Sequence, residues 1–289
     1  MTEPTRAGFA AIIGAPNAGK STLVNALVGR KVSIVTPKVQ TTRFQVRGVM
    51  IHAQTQIVLV DTPGVFAPRR RLDRAMVASA WEGATDADAI VHVVDAAAAK
   101  QGGGRTGEDV ERVIDGLKTQ ARKATLVLNK IDLLKREDLL AIAGKLHETG
   151  VYEEVFMISA SNGDRVKDLA EHLSQAMPES PWLYPEDQIA DLSERLLAAE
   201  ITREKLFLRV HEELPYALTV ETESWKELRD GAVRIEQIVY VEREGHRPII
   251  LGKNGQTAKW VGKAAREELE EQLGRKVHLF LFVKVRPKW

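Results

Sequence analysis

Apolar residues in roughly the first 175 positions gather in short continuous runs, at 10–14, 56–61, 89–95, 125–129 and 155–159. Most of these runs are rich in Val, Ile and Leu. Helical patterns separate them, the first over Thr22, Leu23, Val24, Ala26 and Leu27. Continuously apolar strands alternating with helices predict an α/β domain, a mainly parallel sheet with helices on both faces. Such sheets bind ligands at the carboxyl ends of their strands. The short tracts Ala96–Ala99 and Gly102–Gly104 predict a flexible loop after the third run.

The pattern then changes. Pro178, Pro181 and Pro185, with Trp182 and Tyr184 between them, predict a stiff non-helical linker. A helix is expected over about 187–211, followed by strand-like runs at 217–223 and 233–243. A short helix leads into Gly252-Lys253-Asn254-Gly255, and a long helix (257–273) and a closing strand (277–285) complete the chain. The expected domains are 1–178, a linker and connecting helix over 179–199, and a smaller α+β domain over 200–289.

Composition narrows the class. With 289 residues, 44% hydrophobic and 28% charged, the chain has the make-up of a globular protein. It has no cysteine, which excludes disulfides, zinc–thiolate sites and thiol nucleophiles. No signal-peptide pattern opens it, and the expectation is a cytoplasmic protein. The net charge of +1 conceals an asymmetry: residues 180–245 carry 8 basic and 15 acidic side chains, residues 246–289 carry 10 and 4. A basic carboxyl end fits either a polyanion-binding module or a solvated helix face. The seven histidines are scattered without metal-ligand spacing, and they and the five tryptophans are assigned to surface or packing. His211, beside Glu212 and Glu213, is expected to end a helix.

Chemistry enters at the strand ends. Gly14-Ala15-Pro16-Asn17-Ala18-Gly19-Lys20-Ser21, with Thr22 behind it, matches the phosphate-binding loop G-x-x-x-x-G-K-[ST]. Its glycines let backbone N–H groups curl around a phosphate, Lys20 supplies charge to the β- and γ-phosphates, and Ser21 is placed for Mg²⁺. Asp61-Thr62-Pro63-Gly64 places Asp61 to hold the metal and the Gly64 N–H to meet the γ-phosphate. Asn129-Lys130-Ile131-Asp132 offers a carboxylate to the paired N1–H and amino donors of guanine, which adenine lacks. Lys130's stem can lie over the base, and Asn129 can tie this loop to the phosphate loop. Ser159-Ala160 suits the last base-contacting loop, with a backbone N–H for the guanine O6. In the segment 36–43, Thr42 is the choice for completing Mg²⁺ coordination, with Thr41 in reserve. Val65 stands where Ras-like enzymes carry a water-orienting glutamine. It cannot polarise water, so slow intrinsic turnover is expected.

The order and spacing of these motifs resemble the translation-factor-like branch of P-loop GTPases. The segments GAPNAGKS and QTTR, the strings ESPWLYPEDQ and HEELPY, and the carboxyl half together resemble the Era family of bacterial ribosome-associated GTPases over nearly the whole chain. The Gly252–Gly255 loop and its setting resemble a KH domain of the bacterial type. Such loops clamp the backbone of single-stranded nucleic acid, with Lys253 and Asn254 at the tip and Lys259 and Lys263 on the following helix. Ile249, Ile250 and Leu251 are expected as an apolar floor for bases. The resemblance implies a GTP-hydrolysing switch on the 3′ end of 16S rRNA, acting in small ribosomal subunit assembly. It further implies Lys20, Asn17 and Thr42 as catalytic groups, help in hydrolysis from Asn17 with a K⁺ ion or from a bound partner, a monomer, and peripheral membrane association. Competing assignments are a GTPase assisting tRNA modification and a switch working mainly through protein partners.

Overall fold

A computed structural model describes residues 4–38, 41–68, 71–210 and 214–287. The apolar runs become strands β1 (Arg6–Ile13), β3 (Thr55–Asp61), β4 (Ala89–Asp95), β5 (Ala124–Asn129) and β6 (Tyr152–Met157), with β2 (Val46–His52) added. They lie in the order β2-β3-β1-β4-β5-β6. All neighbours pair in parallel except β2, which runs antiparallel to β3. Every residue of β3 and β5 is buried, as strands covered on both faces require. Side chains of β1 alternate between two cores. Ala11 and Ile13 join Val113, Ile114 and Leu117 of α4 (Gly104–Thr119). Ala10 and Ile12 join Leu23 and Val24 of α1 (Lys20–Val28) and Leu169 and Leu173 of α6 (Val166–Ala176). Helices α2 (Arg71–Thr85) and α5 (Arg136–His147) also lie on the α4 face, contributing Ala80, Leu139 and Ala143.

One expectation is corrected here. Ala96–Gln101 is a helix, α3, not part of a loop. Asp95 ends β4 and caps α3 by accepting from the Ala98 N–H at 3.0 Å. Alanines then propagate the turn at the lowest cost in propensity. Only Gly102 and Gly103, at φ of 62° and 70°, keep the character of a turn, and Gly104 opens α4.

The proline-rich segment lies along the edge of the sheet. Ala7 N–H donates to Pro178 O, Val49 N–H to Ile189 O, and Asp191 N–H to Arg47 O. The fully buried amide of Gln56 clamps it midway. Its Oε1 accepts from the N–H groups of Leu183 (2.8 Å) and Tyr184 (2.9 Å), and its Nε2 donates to Tyr184 O at 2.8 Å. The exposed edge of β2 is thereby covered, as unpaired strand edges need to be. The helix expected from 187 starts later, as α7 (Glu194–Arg209), because Ser193 caps it. The expected helix end at His211 lies outside the described residues.

The chain divides into two compact units, residues 1–191 and 192–289. In the second, β7 (Leu218–Glu227), β8 (Val233–Val241) and β9 (Val277–Val285) form a sheet in that order, β7/β8 antiparallel and β8/β9 parallel. Helices α7, α8 (Arg247–Leu251) and α9 (Gln256–Leu273) accompany it. Phe207, Leu218, Val239, Ile250 and Val261 share one core, and Ile201, Ile235, Ala265 and Leu269 another. Thr202 donates to Gln237 at 2.6 Å between them, a buried polar tie with both partners satisfied.

Among the described residues no helix is long and apolar enough to cross a membrane. His92 of β4 is fully buried, its Nδ1 2.8 Å from the Tyr152 hydroxyl. Burial, helped by the charge of Lys20, pushes its pKa down to about 3. The native state therefore refuses a proton that the unfolded chain accepts below about pH 6.5. Stability should fall as pH drops from about 6.5 toward 3, with a His92 share approaching 1.4 kcal/mol per pH unit. Urea midpoints of nucleotide-free protein at pH 7, 6 and 5 check this. His92→Gln should flatten the fall; an identical slope in the variant would remove His92 as its source.

Candidate functional site

The turn from β1 into α1 carries the phosphate loop, and its backbone requires the residues found there. Gly14 and Gly19 sit at φ 150° and 97°. A Cβ on Gly14 would lie 2.3 Å from Val93 O, and one on Gly19 2.1 Å from Asn129 Nδ2. Asn17 also adopts a left-handed φ of 62°. The loop borders a cavity of about 370 Å³, together with residues 34–38, Thr41, Thr42, Gly64 and Lys130. Lys20 is buried within it, its ammonium donating to the carbonyls of Gly14 (3.1 Å) and Ala15 (2.9 Å). Burial lowers its pKa to about 8, against the opposing pull of Asp61.

Three oxygen-bearing side chains converge beside it. Ser21 Oγ lies 2.7 Å from Asp61 Oδ2 and 3.0 Å from Thr42 Oγ1, and Thr42 Oγ1 lies 3.4 Å from Asp61 Oδ2. Asp61 is fully buried and its Oδ1 makes no hydrogen bond. Burial raises its pKa, opposed by the Ser21 hydrogen bond and the charge of Lys20. A buried carboxylate with a spare lone pair, flanked by two hydroxyls, fits a hard divalent cation. Thr41 instead turns to Thr36 and to Lys38 O, so Thr42 is the threonine brought to Asp61.

The base-recognition loop is anchored from several sides. Asn129 Nδ2 donates to Ala18 O at 2.9 Å, and its Oδ1 accepts from Ala160 N–H at 3.0 Å. Lys130, at φ 66°, donates to Asn17 O at 2.9 Å and to Asp95 Oδ2 at 2.5 Å. Asp132 is exposed, and Ser159 Oγ steadies its carboxylate at 2.5 Å. Asp95 had no place among the expected site residues. Its position as the last residue of the third apolar run, at a strand end, is the available signal.

The structure turns several residues of these motifs inward, away from the cavity. Thr62 is fully buried and donates to Ile12 O. Val65 packs in the core and its N–H donates to Gly14 O, so neither side chain reaches the cavity. Ile131 packs against the same core and its N–H is spent on Ile158 O. In the Ser159-Ala160 loop, expected to offer a backbone N–H to guanine O6, the Ser159 N–H donates to Asp164 O and the Ala160 N–H to Asn129 Oδ1. Asn17 Nδ2 donates to Pro37 O at 2.9 Å, which fastens the phosphate loop to the segment preceding Thr42.

In the second unit, Gly252, Asn254 and Gly255 take φ of 72°, 53° and 73°. A Cβ on Gly252 would meet Thr257 Oγ1 at 2.3 Å, so the loop closes only around glycine. Lys253 and Asn254 stand exposed at its tip, with Lys259 and Lys263 exposed one turn apart on α9. The apolar floor is corrected: Ile249 and Leu251 are 54% and 38% exposed, but Ile250 is in the core. Trp260, assigned to packing, is 41% exposed beside Lys259, with the Arg209 guanidinium 5.5 Å from its ring centroid. Aromatic faces of this kind suit base stacking.

Residues 9–130 match the family model described as 50S ribosome-binding GTPase, and residues 213–289 match the KH domain. GTPase Era of Caulobacter vibrioides is 64% identical, over 100% of this chain and 94% of its own length. The solved structure of a single-residue variant of Aquifex aeolicus Era bound to GDP and AlF4⁻ is 39% identical, with a TM-score of 0.91 over 99% of this chain and 95% of that one. The structure of Era in complex with MgGDPNP and nucleotides 1506–1542 of 16S ribosomal RNA is similar to the same degree and extent.

The buried ammonium sets a pH dependence. A bound phosphate holds the Lys20 proton, whereas the free site releases it near pH 8. Nucleotide affinity should be flat below that value and weaken above it, approaching tenfold per pH unit. Calorimetry between pH 7 and about 8.5, short of the range where guanine N1–H titrates, should show proton uptake on binding at the upper end. A constant affinity with no proton uptake would exclude this account of Lys20.

Proposed function

The chain belongs to the GTPase Era family, and from that premise we propose that it is a GTP-driven switch holding single-stranded ribosomal RNA. The RNA it takes is the 3′ end of 16S rRNA, and its place of action is small ribosomal subunit assembly. One observation carries this: a chain with the Ser21–Thr42–Asp61 cluster beside a buried lysine also carries a glycine-framed loop with Lys253 and Asn254 at its tip. The relative solved with 16S rRNA nucleotides and MgGDPNP supports it. Membrane association and oligomeric state stand outside it.

GTP lies across the phosphate loop, with Lys20 against the β- and γ-phosphates. Backbone N–H groups of the loop and the start of α1 face the phosphate charge. Asp132 takes the guanine N1–H and amino group, and the Lys130 stem lies along the base. Mg²⁺, held by Ser21, Thr42 and Asp61, would supply charge at the β- and γ-phosphate oxygens. Thr42 makes that set depend on the conformation of the segment before β2, and Asn17 holds that segment through Pro37. With Val65 in the core, no side chain takes the place of a water-orienting glutamine at that position, in keeping with slow hydrolysis. The Asn17 side-chain oxygen has lone pairs that would help hold a K⁺ ion, which would supply positive charge to the phosphates in place of an arginine finger. Turnover should then be several-fold faster in K⁺ than in Na⁺, and Asn17→Ala should erase the difference. Equal wild-type rates in both salts would take the cation out of the mechanism.

Replacing Lys253 and Asn254 together by aspartate tests the RNA half. Binding of a single-stranded oligonucleotide with the 16S 3′-end sequence should fall by at least tenfold, while GTP affinity and basal hydrolysis stay within about twofold. Wild-type affinity should also fall with salt, by a log–log slope of about −0.7 per neutralised phosphate. Undiminished RNA binding in the double variant would reduce the loop to a plain turn.

A further inference from the structure

We infer that Asp95 is a positioning residue for guanine binding, fixing the Lys130 side chain as a platform for the base. It rests on the guanine-site assignment above and adds to it a residue outside the motifs. Asp95 uses its two carboxylate oxygens differently. Oδ1 accepts from the Ala98 N–H at 3.0 Å and starts α3. Oδ2 receives the Lys130 ammonium at 2.5 Å. The same ammonium donates to Asn17 O of the phosphate loop at 2.9 Å. The pair is partly shielded, with the Asp95 side chain 16% and that of Lys130 35% exposed.

A lysine stem has many rotamers, and its apolar carbons form a flat surface only when the head is held. Two anchors hold it here: Asp95 at the end of β4 and the Asn17 carbonyl. The left-handed backbone at Lys130, φ 66°, sends the side chain back across the loop toward both. Without Asp95, the stem must be ordered anew whenever a base arrives. That cost falls on affinity. It does not fall on the choice of base, which Asp132 makes through hydrogen bonds Asp95 does not touch. A bare helix cap would leave affinity unchanged as well.

Asp95→Ser separates the two roles, because serine caps a helix well but carries no charge. Stopped-flow release of a ribose-labelled fluorescent GDP from the full chain should become about tenfold faster, equivalent to about 1.4 kcal/mol. The ratio of GDP to IDP affinity should stay at its wild-type value, and KM for GTP should rise more than kcat falls. Lys130→Ala should speed release similarly, and the double variant should be no faster than Lys130→Ala alone, as expected for residues acting through one contact. Wild-type release from Asp95→Ser, additive losses in the double variant, or a changed GDP/IDP ratio would each overturn the role given to Asp95. If Lys130→Ala itself leaves GDP release unchanged, the guanine-site assignment falls. Faster release in Lys130→Ala but not in Asp95→Ser removes only the inference about Asp95.

Discussion

The nucleotide half hangs on one buried amide. Asn129 is 2% exposed, and it spends its nitrogen on Ala18 O and its oxygen on the Ala160 N–H. It thereby joins the phosphate loop, the end of β5 and the loop after β6. Gly19 is obligatory because this amide occupies the space a Cβ would need. An aspartate at position 129 would lose the donor to Ala18 and place a buried charge against a carbonyl. The cost of a buried polar group left unpaired runs to about 1–3 kcal/mol. The phosphate loop and the Asn129–Asp132 loop are thus tied to one another through a single side chain.

A second constraint comes from the sheet edge. β2 would present an open row of backbone groups, and residues 189–191 occupy part of it. Gln56, from the neighbouring β3, completes the fastening through a side chain rather than a strand ladder. Prolines at 178, 181 and 185 cannot donate backbone hydrogen bonds, so a continuous ladder was closed to this segment. The result is a covalent path out of the first unit that is pinned to it as far as Asp191.

What the sequence made legible follows from how much of each feature is local. The phosphate loop, the base-recognition motif and the glycine-framed loop are each set by a few consecutive residues, and each lies at a strand end or helix start as expected. Continuous apolar runs gave the parallel strands because strands buried on both faces have no polar side. β2 escaped: it lies on the edge, and Arg47 and Gly48 interrupt its apolar run. Side-chain direction was also hidden. Nothing in Asp61-Thr62-Pro63-Gly64-Val65 says that Thr62 and Val65 turn inward, since that depends on Ile12 O and Gly14 O across the sheet. Asp95 and Trp260 escaped because a helix cap and a helix tryptophan read as ordinary structure. Only Lys130 and Arg209, brought beside them by the fold, give them another meaning.

The site itself is electrostatically incomplete. Burial pulls the Lys20 pKa down and pushes that of Asp61 up, so each ionised form is less stable here than in water. Their opposite charges help each other, but Asp61 Oδ1 still makes no hydrogen bond. A polyphosphate with a divalent cation answers both needs at once, giving the ammonium an anion and the carboxylate a cation. Thr42 is drawn into the same cluster from outside the phosphate loop, so those oxygens stay together only while its segment stays in place. A displacement of Thr42 must be absorbed before Val46 or passed into β2, whose far edge carries residues 189–191.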